Sequence, residues 1–169
     1  MPTLATLNAC DRADFVAALG AVFEHSPWVA EAVADARPFA DRDALHRAMV
    51  AAVAAAGEPA QRALIRAHPD LAGKAALAGT LGAHSAREQA GAGLDRLTDE
   101  EFARFHRLNE AYRARFGFPF VVAVRDHTKA SILESFERRL GNDETAEVAE
   151  ALRNIARIAG FRLAEIVRG

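Results

Sequence analysis

Apolar residues recur along this chain at the spacing of one helical face, and that pattern predicts α-helix almost throughout. Near the start, Phe15, Leu19, Val22 and Phe23 stand at i, i+4, i+7 and i+8, which places their side chains on one side of a helix. Alanine is abundant and β-branched residues are scattered, which also favours helix over strand. Helices are predicted in segments 11–26, 26–36, 41–57, 58–68, 85–93, 98–117, 128–141 and 143–168.

Polar and glycine residues at the ends of these segments indicate where helices begin and end. Side chains that accept from free backbone N–H groups are typical of helix starts, and glycine is typical of helix ends. Such residues stand at Ser26–Pro27, Asp41, Thr98–Glu101 and Gly117.

Two segments interrupt the helical pattern. Residues 69–83 are rich in glycine and predict an ordered loop or a broken short helix. Residues 118–124, with the sequence FPFVVAV, form a strand-like run that is too short to make a sheet alone. The pattern as a whole predicts an all-α fold, a single compact domain spanning residues 1–169 with about seven to eight helices.

Composition limits the class of protein. The chain has 169 residues, of which 51% are hydrophobic and 26% charged, with a formal net charge of -2. This is typical of a globular domain and argues against a nucleic-acid-binding protein, which usually carries a basic excess. The one cysteine, Cys10, excludes an intramolecular disulfide, and no apolar run reaches the roughly 18 residues needed to cross a bilayer. The N-terminus lacks the layout of a signal peptide, so a cytoplasmic protein without membrane contact is expected.

The stretch from residue 64 to residue 93 gathers most of the candidate chemistry. Ser85 and Glu88 have the spacing of a capping box, in which each side chain satisfies a free backbone N–H at the start of a helix. Ser85, Glu88 and Gln89 also stand at i, i+3 and i+4, so a hydroxyl, a carboxylate and an amide share one face. The second interpretation is a cradle for a polar ligand, and the spacing allows both.

His68 also has more than one interpretation. It closes an apolar helix and precedes Pro69, a place where a histidine is often a C-terminal cap or a core residue. The glycine-containing loop that follows allows backbone to come close to the imidazole, which favours a functional role. A third hypothesis is a metal site, because His84 and Glu88 have ligand spacing and His68 would supply a third ligand.

Two further features lie downstream. The segment 118–124 is either a buried connection or a pocket wall that offers its backbone groups to a ligand. Arg162 falls inside the apolar stripe of the last helix, where a guanidinium is costly unless it is paired. It either reaches the solvent edge or faces a cavity that receives an anion.

Five stretches of this sequence together resemble a known enzyme family. They are FEHSPWVAE, LIRAHPDLAGK, SAREQAGAGLD, LNEAYRARFGFPFVVAVR and EALRNIARIAGFRL, and the resemblance covers the chain from about residue 15 to residue 163. The chain resembles the 2-oxo-4-hydroxy-4-carboxy-5-ureidoimidazoline (OHCU) decarboxylases of urate breakdown. One departure is Gly82, where family members often have threonine.

The resemblance implies an all-helical lyase that forms (S)-allantoin in purine metabolism. It implies that His68 and Glu88 are catalytic. It implies a substrate-binding role for Pro69, Ser85, Gln89, Phe120, Val121, Val122 and Arg162. Since the substrate's own C=N bond can accept the electron pair released with CO2, neither a cofactor nor a metal is expected.

The expected partner is the small-molecule ureidoimidazoline. Since family members are often dimers, the resemblance also allows a homodimer, although the sequence does not determine the oligomeric state. Two other classes of function remain as alternatives. One is a helical module that binds a partner without chemistry. The other is a metal-dependent hydrolase that uses His68, His84 and Glu88.

Overall fold

The computed structural model describes residues 1–168, with the backbone alone at residues 74 and 75. Its regular elements are α-helices joined by short connections, and two turns of 3₁₀-helix at Ala34–Ala36 and Val124–Asp126. Within the described residues the backbone forms no sheet, and its one isolated bridge joins Thr3 to Arg168. The all-α prediction is confirmed. The helices are α1 (Leu4–Ala9), α2 (Arg12–Leu19), α3 (Trp28–Val33), α4 (Arg42–Ala55), α5 (Glu58–Arg66), α6 (Lys74–Leu77), α7 (Ala83–Gly91), α8 (Asp99–Phe116), α9 (Lys129–Leu140) and α10 (Glu144–Ile166).

Several helix ends lie where their capping residues predict them. The Asp41 side chain accepts from the backbone N–H of Ala44 at 2.6 Å and begins α4. Thr98 and Glu101 form the predicted capping box at the start of α8. Gly117 ends α8 with φ 74°, a left-handed conformation that glycine adopts without a Cβ clash.

Other boundaries differ from the prediction. The first periodic segment is helical only to Leu19, and Ser26 does not cap α3, because its hydroxyl donates to the carbonyl of Glu24. Pro27 is the capping residue there, and α3 starts at Trp28. The short helix α1 was not predicted, since six residues span too few turns to show periodicity. Helix α6 lies within residues 69–83, where a broken short helix is one of the two predictions. Among the described helices, seven have eight residues or more, which agrees with the seven to eight expected.

The chain divides into two compact units, each with its own core. Unit 1 comprises residues 1–67 and the chain from residue 156 onward. In it α3 packs against α2 and α4. The buried side chains include Leu7, Phe15, Leu19, Val29, Leu45, Met49, Ile65 and Leu163. The prediction of one domain over residues 1–169 stays a prediction.

Unit 2 comprises residues 68–155. Its centre is an aromatic cluster in which Tyr112 of α8 meets the rings of Phe120 and Phe136 edge-on, at centroid distances of 5.4 and 6.0 Å. The rings of Phe120 and Phe136 stack on each other at 3.8 Å. Helix α8 packs against α9, and α7 packs against the 3₁₀ turn at Val124–Asp126. No helix in the described part of the chain is long and apolar enough to cross a membrane.

Candidate active site

His68 lies just beyond the end of α5, at the first residue of unit 2. The helix ends at Arg66, and its C-cap is Ala67, whose N–H bonds to the carbonyl of Ala63. The interpretation of His68 as the C-cap residue of α5 is therefore wrong, because Ala67 occupies that position. Its side chain is 6% exposed, and Pro69 follows it, which prevents the helix from continuing. The imidazole is therefore held in a buried place at a change of chain direction.

Residues 68–73, here called the His68 loop, are fastened by side chains from two helices. Gln89 of α7 accepts from the N–H of Ala72 through Oε1 at 3.0 Å, and its Nε2 donates to the carbonyl of Asp70 at 3.2 Å. Asn109 of α8 donates through Nδ2 to the carbonyl of Leu71 at 2.9 Å. Ala72 has φ 51°, a left-handed conformation unusual for alanine. The bonds from these two amides hold the loop in a shape its sequence does not favour.

Helix α7 presents the Ser85, Glu88 and Gln89 face that the spacing predicts. Ser85 and Gln89 are buried and Glu88 is partly buried. The helix begins at Ala83, its N-cap is Gly82, and no side chain caps it. The capping-box interpretation of Ser85 and Glu88 is therefore wrong, since Ser85 is already the third residue of the helix. The interpretation of this face as a ligand cradle stays a prediction.

The metal hypothesis finds no support in the geometry. Arg87 donates through Nη2 to Nδ1 of His84 at 3.0 Å, which places a cation beside the imidazole ring. Among the described residues, no three His, Cys, Asp or Glu side chains form a group that could hold a metal ion.

Residues 118–123, here called the extended segment, connect α8 to the 3₁₀ turn. Phe120, Val121 and Val122 are buried. The carbonyl of Val121 accepts from Nη1 of Arg139 at 2.7 Å, and the N–H of Ala123 donates to Oδ1 of Asn154 at 3.0 Å. In the part of the chain that the structure describes, no hydrogen bond engages the backbone of Val122. The same holds for the backbone of Phe120, and the binding of a ligand by this segment stays a prediction.

A buried ion pair supports the extended segment. Arg139 and Glu147 are both 0% exposed, and Nε of Arg139 donates to Oε1 of Glu147 at 2.7 Å. The guanidinium also lies 4.4 Å from the ring centroid of Phe120. The Tyr112 hydroxyl donates to the same carboxylate, and Asn142 donates to its other oxygen at 3.0 Å. Burial, together with the hydrogen bond to Glu147, raises the pKa of Tyr112 far above its usual range.

Sequence analysis missed this pair, although a signal for it exists. Ile132, Phe136 and Arg139 stand at i, i+4 and i+7 on α9, so the arginine continues an apolar face. The same argument singled out Arg162 and applies equally to Arg139. A charged residue on a core-facing stripe predicts a buried partner, here Glu147 on α10.

Arg162 belongs to unit 1 and is 2% exposed. Its Nη1 lies 2.8 Å from Oε2 of Glu24, which is 6% exposed, and it donates to the carbonyl of Val22 at 3.5 Å. The interpretation in which Arg162 reaches the solvent edge is wrong, because its side chain is buried and paired. Its role in binding an anion stays a prediction.

Unit 2 thus holds together the His68 loop and α7, and it packs α7 against the turn that ends the extended segment. These elements carry eight of the nine candidate residues. Arg162 is the ninth, and it lies in unit 1.

Comparisons with known proteins agree with one another. The family model for OHCU decarboxylase matches residues 8–164. The chain is 45% identical over 163 residues to the 2-oxo-4-hydroxy-4-carboxy-5-ureidoimidazoline decarboxylase of Haloferax volcanii, covering 96% of this chain and 95% of that protein. It is 43% identical over 167 residues to the uric acid degradation bifunctional protein PucL of Bacillus subtilis, covering 99% of this chain and 33% of that protein. Among solved structures, that of an (S)-allantoin synthase superimposes with a TM-score of 0.79 at 31% identity; the match covers 98% of this chain and 54% of that chain.

Proposed function

The chain belongs to the OHCU decarboxylase family, and from that premise we propose that it is a carboxy-lyase of urate degradation. It converts 2-oxo-4-hydroxy-4-carboxy-5-ureidoimidazoline into (S)-allantoin and CO2. One observation carries the proposal: the decarboxylase of Haloferax volcanii matches this chain over nearly the whole length of both proteins. Unit 2 also contains the buried His68 and the polar face of α7, which supports the proposal.

The reaction needs a base and a way to hold planar amide groups. The substrate carries a hydroxyl and a carboxylate on one ring carbon, and the neighbouring ring carbon takes part in a C=N bond. When the bond to the carboxylate breaks, CO2 leaves and the electron pair moves towards that C=N bond. A C=C bond forms between the two ring carbons, and the nitrogen of the former C=N bond takes up a proton. The hydroxyl then loses its proton and the neighbouring carbon gains one, which gives a carbonyl and a new stereocentre. The electron sink is part of the substrate, so the protein supplies orientation and proton transfer.

His68 is the proposed general base towards the ring hydroxyl. Imidazole has a pKa near the working pH, and the burial of His68 keeps bulk water from competing for the hydroxyl. Glu88 orients the imidazole or the ureido N–H groups, and Ser85 on the same helix face fixes the ring. Pro69 forms the wall beside His68.

The backbone of Phe120, Val121 and Val122 is the proposed binding edge for the planar amides of the substrate. Two observations support this proposal for part of the segment: Arg139 already donates to the Val121 carbonyl, and the backbones of Phe120 and Val122 have no hydrogen bond in the described chain. Gln89 was expected to contact the substrate directly. Its amide already bonds to Ala72 and Asp70, so a second Nε2 hydrogen and a second lone pair on Oε1 are the groups it can offer to the substrate.

Arg162 is proposed to hold a substrate oxygen by charge-assisted hydrogen bonds. A small-molecule substrate, a homodimer and a cytoplasmic location belong to the same proposal and rest on the family resemblance.

A coupled assay tests the proposed function. Urate oxidase and hydroxyisourate hydrolase generate the unstable substrate, and circular dichroism follows (S)-allantoin as it forms. We expect optically active allantoin to appear faster with the protein than in the spontaneous reaction, which gives a racemate. Folded protein that leaves the rate and the optical activity at the spontaneous level would refute the proposal.

The His68→Asn variant tests the proposed base. We expect kcat to fall by about 10²- to 10⁴-fold, because asparagine keeps hydrogen-bonding groups but cannot take a proton. His106→Asn is the matched control, since His106 is an exposed histidine of α8 that pairs with Glu110 at 3.3 Å. A His68→Asn variant with the kcat of the control would remove His68 from the mechanism.

A further inference from the structure

An ion pair joins the His68 loop to α8. Nε of Arg113 donates to Oδ1 and Oδ2 of Asp70 at 3.1 and 3.3 Å, and Nη2 lies 3.1 Å from Oδ1. Asp70 stands two residues after His68 in the chain. The contact uses two nitrogens of the guanidinium, so it restrains the orientation of the carboxylate as well as its distance.

The neighbouring loop residue is fastened to the same helix. Asn109, one turn before Arg113 on α8, donates to the carbonyl of Leu71. Asn109 is 6% exposed, and its Oδ1 has no hydrogen-bond partner in the described chain. A buried acceptor without a partner lowers stability, so the benefit of this amide lies in its Nδ2 contact with the loop. Arg113 and Asn109 thus fix two successive loop residues to one helix.

The loop backbone is also shaped to admit Asp70. A Cβ at Gly73 would lie 2.7 Å from Cβ of Asp70, which is closer than two non-bonded carbon atoms can approach. Glycine at this position therefore leaves the space in which Asp70 turns towards Arg113. This observation is independent of the ion pair.

Stability alone does not explain the Arg113 contact. The side chain of Arg113 is 48% exposed, and exposed ion pairs typically contribute about 0.2–1 kcal/mol. Catalysis is far more sensitive to position, because a displacement of about 1 Å in a reacting group can cost roughly 10²-fold in rate.

We propose that Arg113 is a positioning residue for His68, acting through Asp70. The inference rests on the proposed function, since it takes His68 as the general base. Arg113 and Asn109 hold the loop on a helix that is capped at both ends, and the loop holds the imidazole at the distance from the substrate hydroxyl that proton transfer needs.

The test compares Arg113→Gln with Arg104→Gln. Arg104 is on the same helix and 46% exposed, and it pairs with Glu137 of α9 at 2.5 Å, away from the loop. We expect Arg113→Gln to lower kcat by about tenfold with KM changed by less than about twofold, because substrate contacts stay while the base is misplaced. Arg104→Gln should keep the kcat of the unaltered protein. Arg113→Lys, which keeps the charge but not the two-nitrogen contact, should fall between the two.

A second measurement does not depend on activity. The N–H of Ala72 is hydrogen-bonded to Gln89, so its exchange with solvent hydrogen reports opening of the loop. We expect NMR to show faster exchange at Ala72 in Arg113→Gln and unchanged exchange in Arg104→Gln. Equal exchange in both variants would refute the restraint on the loop, and faster exchange with unchanged kcat would refute its effect on His68. If the unaltered protein has no decarboxylase activity, the proposed function fails, and the exchange result alone still decides whether Arg113 restrains the loop.

Discussion

Two non-helical segments of unit 2 are held by contrasting means. The His68 loop is fastened by the neutral amides of Gln89 and Asn109 and by a half-exposed ion pair. The extended segment is fastened by a fully buried arginine, which is itself paired with a fully buried glutamate. Both segments present candidate binding groups, so the difference concerns how each is supported.

This difference predicts whether substitutions around each segment lower stability or catalysis. A buried ion pair contributes little net stability, but the loss of one member leaves an uncompensated charge in the core. Neutral hydrogen bonds and an exposed ion pair are each weaker, so their loss loosens a segment without unfolding the unit. We therefore expect changes around Arg139 to act on stability, and changes around the His68 loop to act on catalysis.

The largest expected effect is that of Arg139→Met. Methionine is apolar and unbranched, and it leaves Glu147 buried without its cation, which should lower the free energy of unfolding by about 3–5 kcal/mol. Urea unfolding measures this loss. Arg138→Met is the matched control, since Arg138 is the adjacent residue, is 58% exposed and pairs with Glu150; it should cost about 0.2–1 kcal/mol.

A double variant separates the charge from the packing. In Arg139→Met/Glu147→Leu no buried charge is left, so much of the lost stability should return. If the double variant is as unstable as Arg139→Met, the cost lies in the lost contacts with Val121, Phe120 and the Tyr112 hydroxyl rather than in the unpaired carboxylate.

Much of the fold could be predicted from the sequence because its signals are local. Periodicity over three or more turns locates α4, α8, α9 and α10. The cap at Asp41 places the start of α4, and the caps at Thr98 and Gly117 place both ends of α8. The start of α7 could not be placed, because Ser85 and Glu88 match a capping box by spacing alone. The helix begins two residues earlier, directly after Gly82, whose backbone is non-helical with ψ 152°; the spacing of Ser85 and Glu88 does not encode that start.

The candidate site was predictable in its residue types but not in its contacts. Gln89 was identified by its place on the α7 face, yet its bonds to Asp70 and Ala72 depend on where the loop returns in space. Arg113 carries no signal of its own, because an arginine on an exposed helix face is usual. Asn109 stands on the same face of α8 as Phe105 and Tyr112, which indicates a buried polar contact but does not identify its partner. Tertiary contacts over 38 or more residues supply those roles.

An intermediate effect is expected from Gln89→Leu. Leucine fills the space but leaves the N–H of Ala72 and the carbonyl of Asp70 without partners, which should cost about 1–3 kcal/mol in the free energy of unfolding. Since those groups belong to the His68 loop, kcat should fall as well.

Gln61→Leu is the control for this variant. Gln61 also donates to backbone carbonyls, those of Val53 and Ala54 at 3.1 and 3.2 Å, but it lies in unit 1 and away from the loop. We expect Gln61→Leu to lower the free energy of unfolding without changing kcat. If both variants lose kcat in proportion to stability, the loop contacts of Gln89 have no separate catalytic effect.

The smallest expected effect is a pH dependence at the edge of the buried cluster. Glu150 accepts from Nη2 of Arg138 at 2.5 Å, and this hydrogen bond lowers the pKa of the Glu150 carboxyl below its usual range. Because the pKa of this carboxyl is lower in the folded state than in the unfolded state, the carboxyl stabilises the fold at a pH above its unfolded-state pKa. This contribution disappears as the pH falls through the folded-state pKa. Comparing the unaltered protein with Glu150→Gln by urea unfolding should show a difference of about 0.2–1 kcal/mol at neutral pH that shrinks on acidification. A difference that persists unchanged in acid would mean that Glu150 acts through packing. It would then belong with Arg139 and Glu147 in the buried support of the extended segment.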